Sequence, residues 1–243
     1  MAILERLRNS GNSINCEKIV DYIEGAIIQG RLRKGDKLPT ERKMAEEMDV
    51  SRASVREAIK ALEVMGIVKS IQGSGNYITD DPDSTVNRPL CALFALNDGT
   101  LDNLLQLRIM LEVEACKDIV KSATDDDIAS LSKLASYDYE DLSIEAQAVC
   151  DSNFHRGIVN LSRNTLVKYL YTTLARLMDA SRARVLAATA DRGENYITRD
   201  DHALIISSLA HRDAAAAEEA IHRHLELNRE YREMLDIPYR EFM

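Results

Sequence analysis

The chain has no apolar run long enough to span a bilayer, which excludes a membrane-spanning helix from the expected architecture. Its opening residues, MAILERLRNS, lack the apolar core of an export signal, so a cytoplasmic protein is expected. The four cysteines, Cys16, Cys91, Cys116 and Cys150, are scattered without close pairs. That spacing supports neither a disulfide framework nor a cysteine zinc site, and reduced, partly buried thiols are expected. There is no internal repeat, and no low-complexity tract apart from an alanine-rich stretch near residue 215. No glycine loop of the phosphate-cradling kind occurs, and beyond residue 80 no segment carries a strand pattern. Positive charge is also short, with a net charge of −9.

What is present is concentrated first in Arg31–Thr79. Leu38-Pro39-Thr40 ends an extended arrival, because the residue before a proline is pushed out of helical geometry. Thr40 can cap a helix from Glu41 to Met48, with Glu41 at its positive end. Met44, Ala45 and Met48 share one face. Asp49-Val50 is a turn, with Val50 its buried residue. Ser51 then caps a second helix running to about Met65. Val55, Ala58, Ile59 and Leu62 form one apolar stripe at helical spacing. Gly66 closes that helix. Ile67–Ile71 and Asn76–Thr79 are short β-rich runs, and Gly73-Ser74-Gly75 between them supplies the positive φ a tight hairpin needs.

Two helices, a tight turn and a hairpin outline a winged helix-turn-helix, which lays its second helix in the major groove of DNA. Arg52 and Ser54 fall in the first turn of that helix, and Arg56 lies one turn on. Arginine pairs bidentately with guanine or phosphate, which suits those places. Arg42 and Lys43 on the preceding helix are placed for the DNA backbone.

The run G-x-L-x-x-G-D-K-L-P-T-E-R-x-x-A-E-E-x-x-V-S-R-A-S-V-R-E-A-I-x-x-L-E-x-x-G-I-V, followed by Q-G-S-G, resembles the DNA-binding domain of the GntR superfamily of bacterial repressors. The resemblance covers about Ile14 to Thr79. It implies operator contacts at Arg42, Ser51, Arg52, Ser54 and Arg56, with the wing of Gly73 and Gly75 in the minor groove. The wing tip itself carries no basic residue, a departure that speaks against a strong charge contact there.

Charge divides along the chain. Residues 1–80 hold 13 Lys+Arg and 12 Asp+Glu, leaving 18 and 28 for the remainder. The acidic remainder would be repelled by phosphate, so only the N-terminal part can face a duplex. The expected organisation is a winged helix-turn-helix over 1–80, a linker at 81–84 marked by Asp80-Asp81-Pro82-Asp83-Ser84, and an all-α domain over 85–243. Helices are expected near 84–96, 100–122, 125–136, 143–162, 165–189, 195–211 and 213–235. Thr124 with Asp127 reads as a capping box, and Asp98-Gly99 as a turn. The fold class is mostly α, with a six- or seven-helix C-terminal bundle.

In that bundle, Asp151 and His155 stack four residues apart on one helix face that continues through Ile158 and Val159. His202 opens a stripe with Ile205, Ile206 and Leu209. His224 lies on the stripe of Ala217, Ile221, Leu225 and Asn228. Three histidines and an aspartate thus point inward from three helices. Burying them without partners is costly, and a divalent metal would satisfy all four. The alternative for each is a hydrogen-bonded core residue. His222 and His211 face outward.

D-x-x-F-H at Asp151–His155, D-H-x-x-I-x-x-x-L at Asp201–Leu209 and A-x-x-x-H-L at Ala220–Leu225 resemble the FCD ligand-binding domain of FadR-type GntR regulators. The resemblance covers about residues 85–235. It implies a metal held by Asp151, His155, His202 and His224, and no acyl-CoA effector, since acyl-CoA-binding members lack this set. Zinc tolerates such nitrogen-rich ligands, while nickel or manganese would accept octahedral completion. A small organic acid could fill the open positions. Arg108, set among Leu104, Leu107, Leu111 and Ala115, matches the family's L-R-x-x-L-E pattern and could pair with Asp151 or with the acid. Otherwise it forms a surface salt bridge to Glu112. Asn164 is either an effector hydrogen-bonder or a helix cap.

The reading is a metabolite-responsive repressor, not an enzyme, acting as a homodimer on a palindromic operator. The alternatives are a metal-dependent hydrolase or lyase carrying a DNA-binding module, and a DNA-binding protein with a purely structural bundle.

Overall fold

The computed structural model describes residues 11–79, 83–136, 142–175, 177 and 199–226. The N-terminal part begins with α1 (Gly11–Ile28), a helix not among those expected from the sequence. Ile19, Ile23 and Ala26 bury one stripe of it against the helix-turn-helix. The next two helices are α2 (Glu41–Met48) and α3 (Arg52–Val64). Their caps are those expected. Thr40 accepts from the Lys43 backbone N–H, and Ser51 from that of Ser54. Asp49 takes the left-handed conformation that ends α2, at φ 51°. Asp tolerates this region better than most residues, because its short side chain can bond locally.

The hairpin pairs β1 (Val68–Ile71) with β2 (Gly75–Ile78), Val68 opposite Ile78 and Ile71 opposite Gly75. Residues 35–38 add a short third segment along β2. Met44, Val55, Ala58, Ile59, Leu62, Val68 and Ile78 close the core with the α1 stripe, and Val50 and Met48 pack at its edge.

The chain divides into two compact units at residues 88 and 89, within α4 (Asp83–Leu96). Beyond it the named elements among the described residues are helices. They are α5 (Leu101–Ser122), α6 (Asp125–Ala135), α7 (Ile144–Leu161), α8 (residues 165–175), α9 (Arg199–Ala210) and α10 (Ala214–Glu226). The expected stretches 176, 178–198 and 227–235 lie outside the described residues, as does Asn228. Thr124 and Asp127 do form a capping box, and Thr100 with Asn103 forms a second. Asp98 turns the chain at φ 51°, with the Gly99 N–H donating to the Phe94 carbonyl. The core gathers on α5, whose Leu104, Ala115, Cys116 and Ile119 meet Ile158 of α7, Ile205 and Leu209 of α9 and Ile221 of α10. No described helix is long and apolar enough to cross a membrane.

Ile119 has no solvent exposure at the centre of this core. Ile119→Ala should cost about 2–5 kcal/mol, the range for emptying a closed aliphatic site. Urea unfolding followed by helical circular dichroism checks it: a lowered midpoint at unchanged slope is expected, and an unmoved midpoint contradicts the packing described.

Candidate functional site

Asp151 and His155 lie one turn apart on α7, His202 near the start of α9, and His224 near the end of α10. All four are buried, and one ligand atom from each falls within 4.8 Å of every other. Asp151 Oδ1 is the hub. It lies 3.1 Å from His202 Nε2, 3.3 Å from His155 Nε2 and 3.7 Å from His224 Nε2. His155 Nε2 and His224 Nε2 are 3.0 Å apart, and their rings stack at 5.0 Å. Phe154, fully buried beside His155, backs the His202 ring at 4.2 Å.

The other faces of two of these rings meet carboxylates that the sequence does not assign to the site. Glu112 on α5 has no solvent exposure. Its Oε2 lies 2.6 Å from His155 Nδ1. Its Oε1 accepts from Arg108 Nε at 2.7 Å and from the Tyr171 hydroxyl at 3.1 Å. The Arg108–Glu112 pair foreseen as a surface salt bridge is therefore made, but in the core. Arg108 Nη2 reaches to 3.8 Å from Asp151 Oδ2 and has no hydrogen-bond partner. Asp201 lies beside the cluster, its Oδ2 4.0 Å from His224 Nδ1 and its Oδ1 accepting from Arg223 at 3.0 Å. His224 Nδ1 makes no hydrogen bond.

These contacts set the charges. Burial alone would raise the Glu112 carboxyl, but His155 and Arg108 outweigh it and hold the group well below the usual carboxylate range. Burial likewise opposes the charge on Arg108, and Glu112, Tyr171 and Asp151 overcome that opposition. Burial pushes His202 down to about 4 against the pull of Asp151, so its imidazole is neutral at pH 7. His155 is also lowered, by burial and then by Arg108. Burial opposes the charge on His224, but the carboxylates of Asp151 and Asp201 beside it outweigh that burial and raise it.

A donor from His155 Nδ1 to Glu112 leaves Nε2 bare, with its lone pair turned toward Asp151. Three imidazole nitrogens and one carboxylate oxygen thus crowd a single point. Such a donor set fits a borderline divalent cation. His222 and His211 stand apart, His222 beside Glu226 at 3.5 Å and His211 with its Nδ1 at 2.8 Å from the Ser207 carbonyl. Asn164 accepts from the backbone N–H groups of Leu166 and Val167 at 3.0 and 3.3 Å, so its side-chain oxygen caps α8. That geometry supports the cap of the two expected roles.

On the N-terminal unit, Arg52 is exposed at the start of α3. Arg56 is exposed too, its Nε and Nη2 donating to Glu41 Oε2 at 3.4 and 3.3 Å. Arg42 pairs with Glu46 at 3.4 Å across one turn of α2. Ser51 is exposed and caps α3. Ser54, expected beside the arginines, is instead wholly buried, with its hydroxyl 2.9 Å from that of Ser51. It supports the helix start from within. Gly73 and Gly75 both have positive φ, 75° and 122°.

Comparison with known proteins bears on both units. Residues 15–78 match the family described as bacterial regulatory proteins, gntR family, and residues 103–227 match the FCD domain. The chain is 30% identical to the Uxu operon regulator of Haemophilus influenzae over 224 residues, which covers 90% of this chain and 83% of that one. It is 29% identical to the HTH-type transcriptional regulator LutR of Bacillus subtilis, covering 82% of this chain and 92% of that one. Among solved structures, a Streptococcus agalactiae GntR protein superposes with a TM-score of 0.66 at 25% identity, over 89% of this chain and 99% of that one. The chain belongs to the GntR family of bacterial regulatory proteins, in the branch that carries an FCD domain, and is a DNA-binding transcriptional regulator rather than an enzyme.

Proposed function

We propose that this regulator is a cytoplasmic, homodimeric repressor whose operator affinity is set by a small organic acid bound at a divalent metal in the FCD domain. The observation that carries the metal reading is the convergence of three histidine Nε2 atoms on Asp151 Oδ1. Asp151, His155, His202 and His224 would hold the ion, with zinc, nickel or manganese as candidates. A bound ion would supply Lewis-acid attraction for a carboxylate and an adjacent hydroxyl or keto oxygen. Glu112 orients His155, and Asp201 lies behind His224. Such outer partners fix the rings that face an ion.

Arg108 supports the acid. Its Nε is committed to Glu112, while the buried Nη2 lacks a partner. A buried donor left unbonded costs about 1–3 kcal/mol, and an incoming carboxylate would relieve that cost. For the operator, Arg42, Arg52 and Arg56 are the proposed contacts, with Gly73 and Gly75 shaping the wing. Two copies with α3 spaced to successive major grooves would read a palindrome. One similar protein, from Klebsiella aerogenes, is named a transcriptional repressor, NanR. The acid would act by binding one arrangement of the dimer better than the other, a difference of typically 1–3 kcal/mol.

Elemental analysis of purified protein should find close to one divalent ion per chain. His202→Ala and His224→Ala should lose it and melt at lower temperature than the loaded wild type, since an ion at 100 times its Kd adds roughly 2.7 kcal/mol. Wild-type protein that stays metal-free after incubation with zinc, nickel and manganese sinks the metal reading.

Arg108→Ala should weaken calorimetric binding of whichever small acid the wild type binds best, by at least tenfold, and leave operator affinity without the acid unchanged. Equal acid affinity in the variant would return Arg108 to a purely structural role.

Arg52→Ala should lose about 1–3 kcal/mol at each half-site, and a dimer loses it twice. Gel-shift titration against the operator reads this directly, and unchanged affinity removes Arg52 from the contact set.

A further inference from the structure

The tip of the wing, Gly73-Ser74-Gly75, contains no basic residue, yet the folded wing brings one to it. Residues 35–38 run antiparallel to β2. Gly35 N–H donates to the Ile78 carbonyl, Ile78 N–H to that of Asp36, and Leu38 N–H to that of Asn76. Lys37 is thereby placed opposite Tyr77. On the other side of Tyr77, β1 places Lys69 opposite the same residue. Directly opposed residues share a face. One face of the wing thus carries the row Lys37, Tyr77, Lys69, while their neighbours Leu38, Ile78 and Val68 are buried in the core.

Lys37 then runs toward the tip. Its ammonium lies 5.6 Å from the centre of the Tyr77 ring, within reach of a cation–π attraction. Its stem crosses Gly75 so closely that a Cβ there would lie 3.2 Å from Lys37 Cε and 3.8 Å from Nζ. Tyr77 is itself tied to the tip, its hydroxyl 2.5 Å from Ser74 Oγ.

We propose that Lys37 is a phosphate contact of the wing, its ammonium carried to the hairpin tip across Tyr77 and through the gap that Gly75 leaves, with the backbone of duplex DNA as its ligand. The proposal rests on the DNA-binding function of the N-terminal unit. A lysine ammonium is a compact point charge on a flexible stem, suited to a phosphate contact that positions a protein without reading sequence. The need for it is electrostatic. Residues 1–80 carry 13 basic and 12 acidic side chains, and Arg42 and Arg56 are each paired with a glutamate in the free protein. A domain with so little excess charge gains from each cation it can place. Gly75 serves two ends at once, since its φ of 122° suits glycine and its missing side chain lets Lys37 pass.

The test uses the full chain and a mixed-sequence duplex as probe, with binding followed by fluorescence anisotropy from 50 to 200 mM salt. Each phosphate contact contributes about 0.9 to the slope of log affinity against log salt. Lys37→Gln should lower that slope by about 1 per bound subunit, which is a roughly threefold smaller loss of affinity per subunit across this salt range. It should weaken binding alike on duplexes of different sequence. Lys37→Arg should keep the wild-type slope. Lys34→Gln, the loss of a nearby exposed lysine, should leave the slope in place. A wild-type slope in Lys37→Gln overturns the proposal, and so does an equal fall in Lys34→Gln, which would make the effect one of net charge. Wild-type protein that binds no duplex would overturn the DNA-binding reading itself, and this proposal with it.

Discussion

The carboxylate of Glu112 is buried away from solvent, and the effector domain is arranged around the need to satisfy it. One oxygen meets the His155 ring at 2.6 Å, and the other accepts from Arg108 and Tyr171. Breaking a buried charge pair by removing one partner is strongly destabilising, about 3–5 kcal/mol, because it leaves the other charge uncompensated. The same bonds have a directional effect. With Nδ1 committed to Glu112, His155 has only Nε2 to offer toward Asp151, where His202 and His224 also point. With Nε committed, Arg108 has Nη2 left for something else. A single acidic side chain therefore turns one imidazole nitrogen toward Asp151 and leaves one guanidinium nitrogen without a hydrogen bond, side by side.

The two units solve opposite electrostatic problems. The C-terminal unit holds the chain's acidic excess and gathers its buried charges around one centre. The N-terminal unit has almost no net charge and depends on where individual cations are placed. Arg56 and Arg42 are held by Glu41 and Glu46 in the free protein. Exposed pairs of this kind are worth about 0–1 kcal/mol, so phosphate can displace the glutamates at little cost. Arg52 makes no ion pair among the described residues, and it stands where a recognition helix presents its first turn.

Much of this was legible in the sequence, because local rules dominate where it was legible. Thr40, Asp49 and Ser51 mark the limits of α2 and α3 through caps and a left-handed turn, which are properties of a few adjacent residues. The spacing of Asp151 and His155 placed them on one face, and apolar stripes turned His202 and His224 inward. What the sequence does not show at Glu112 and Lys37 is non-local. Glu112 follows Arg108 by four residues, which in a sequence reads as an exposed pair. Only the packing of α7 and α8 against α5 shows it to be in the core, although the apolar flanks Leu111, Val113, Ala115 and Cys116 were a signal. α1 is a different case, since Ile19, Ile23 and Ala26 stand at helical spacing and make it legible locally. Ser54 is expected among the operator contacts by resemblance alone, and its small side chain turns inward to the cap. Lys37 reaches the wing tip through strand pairing over forty residues, which no local pattern reports.

One proposal carries the rest: Asp151 and the three histidines form a cation site whose ligands are oriented by Glu112. X-ray diffraction from crystals grown with zinc, collected at the zinc absorption edge, tests it most directly. One strong anomalous peak per chain is expected at the cluster, about 2.0–2.2 Å from His155 Nε2, His202 Nε2, His224 Nε2 and an Asp151 oxygen. An empty cluster, or zinc bound only at exposed groups such as His222 and Glu226, would contradict it.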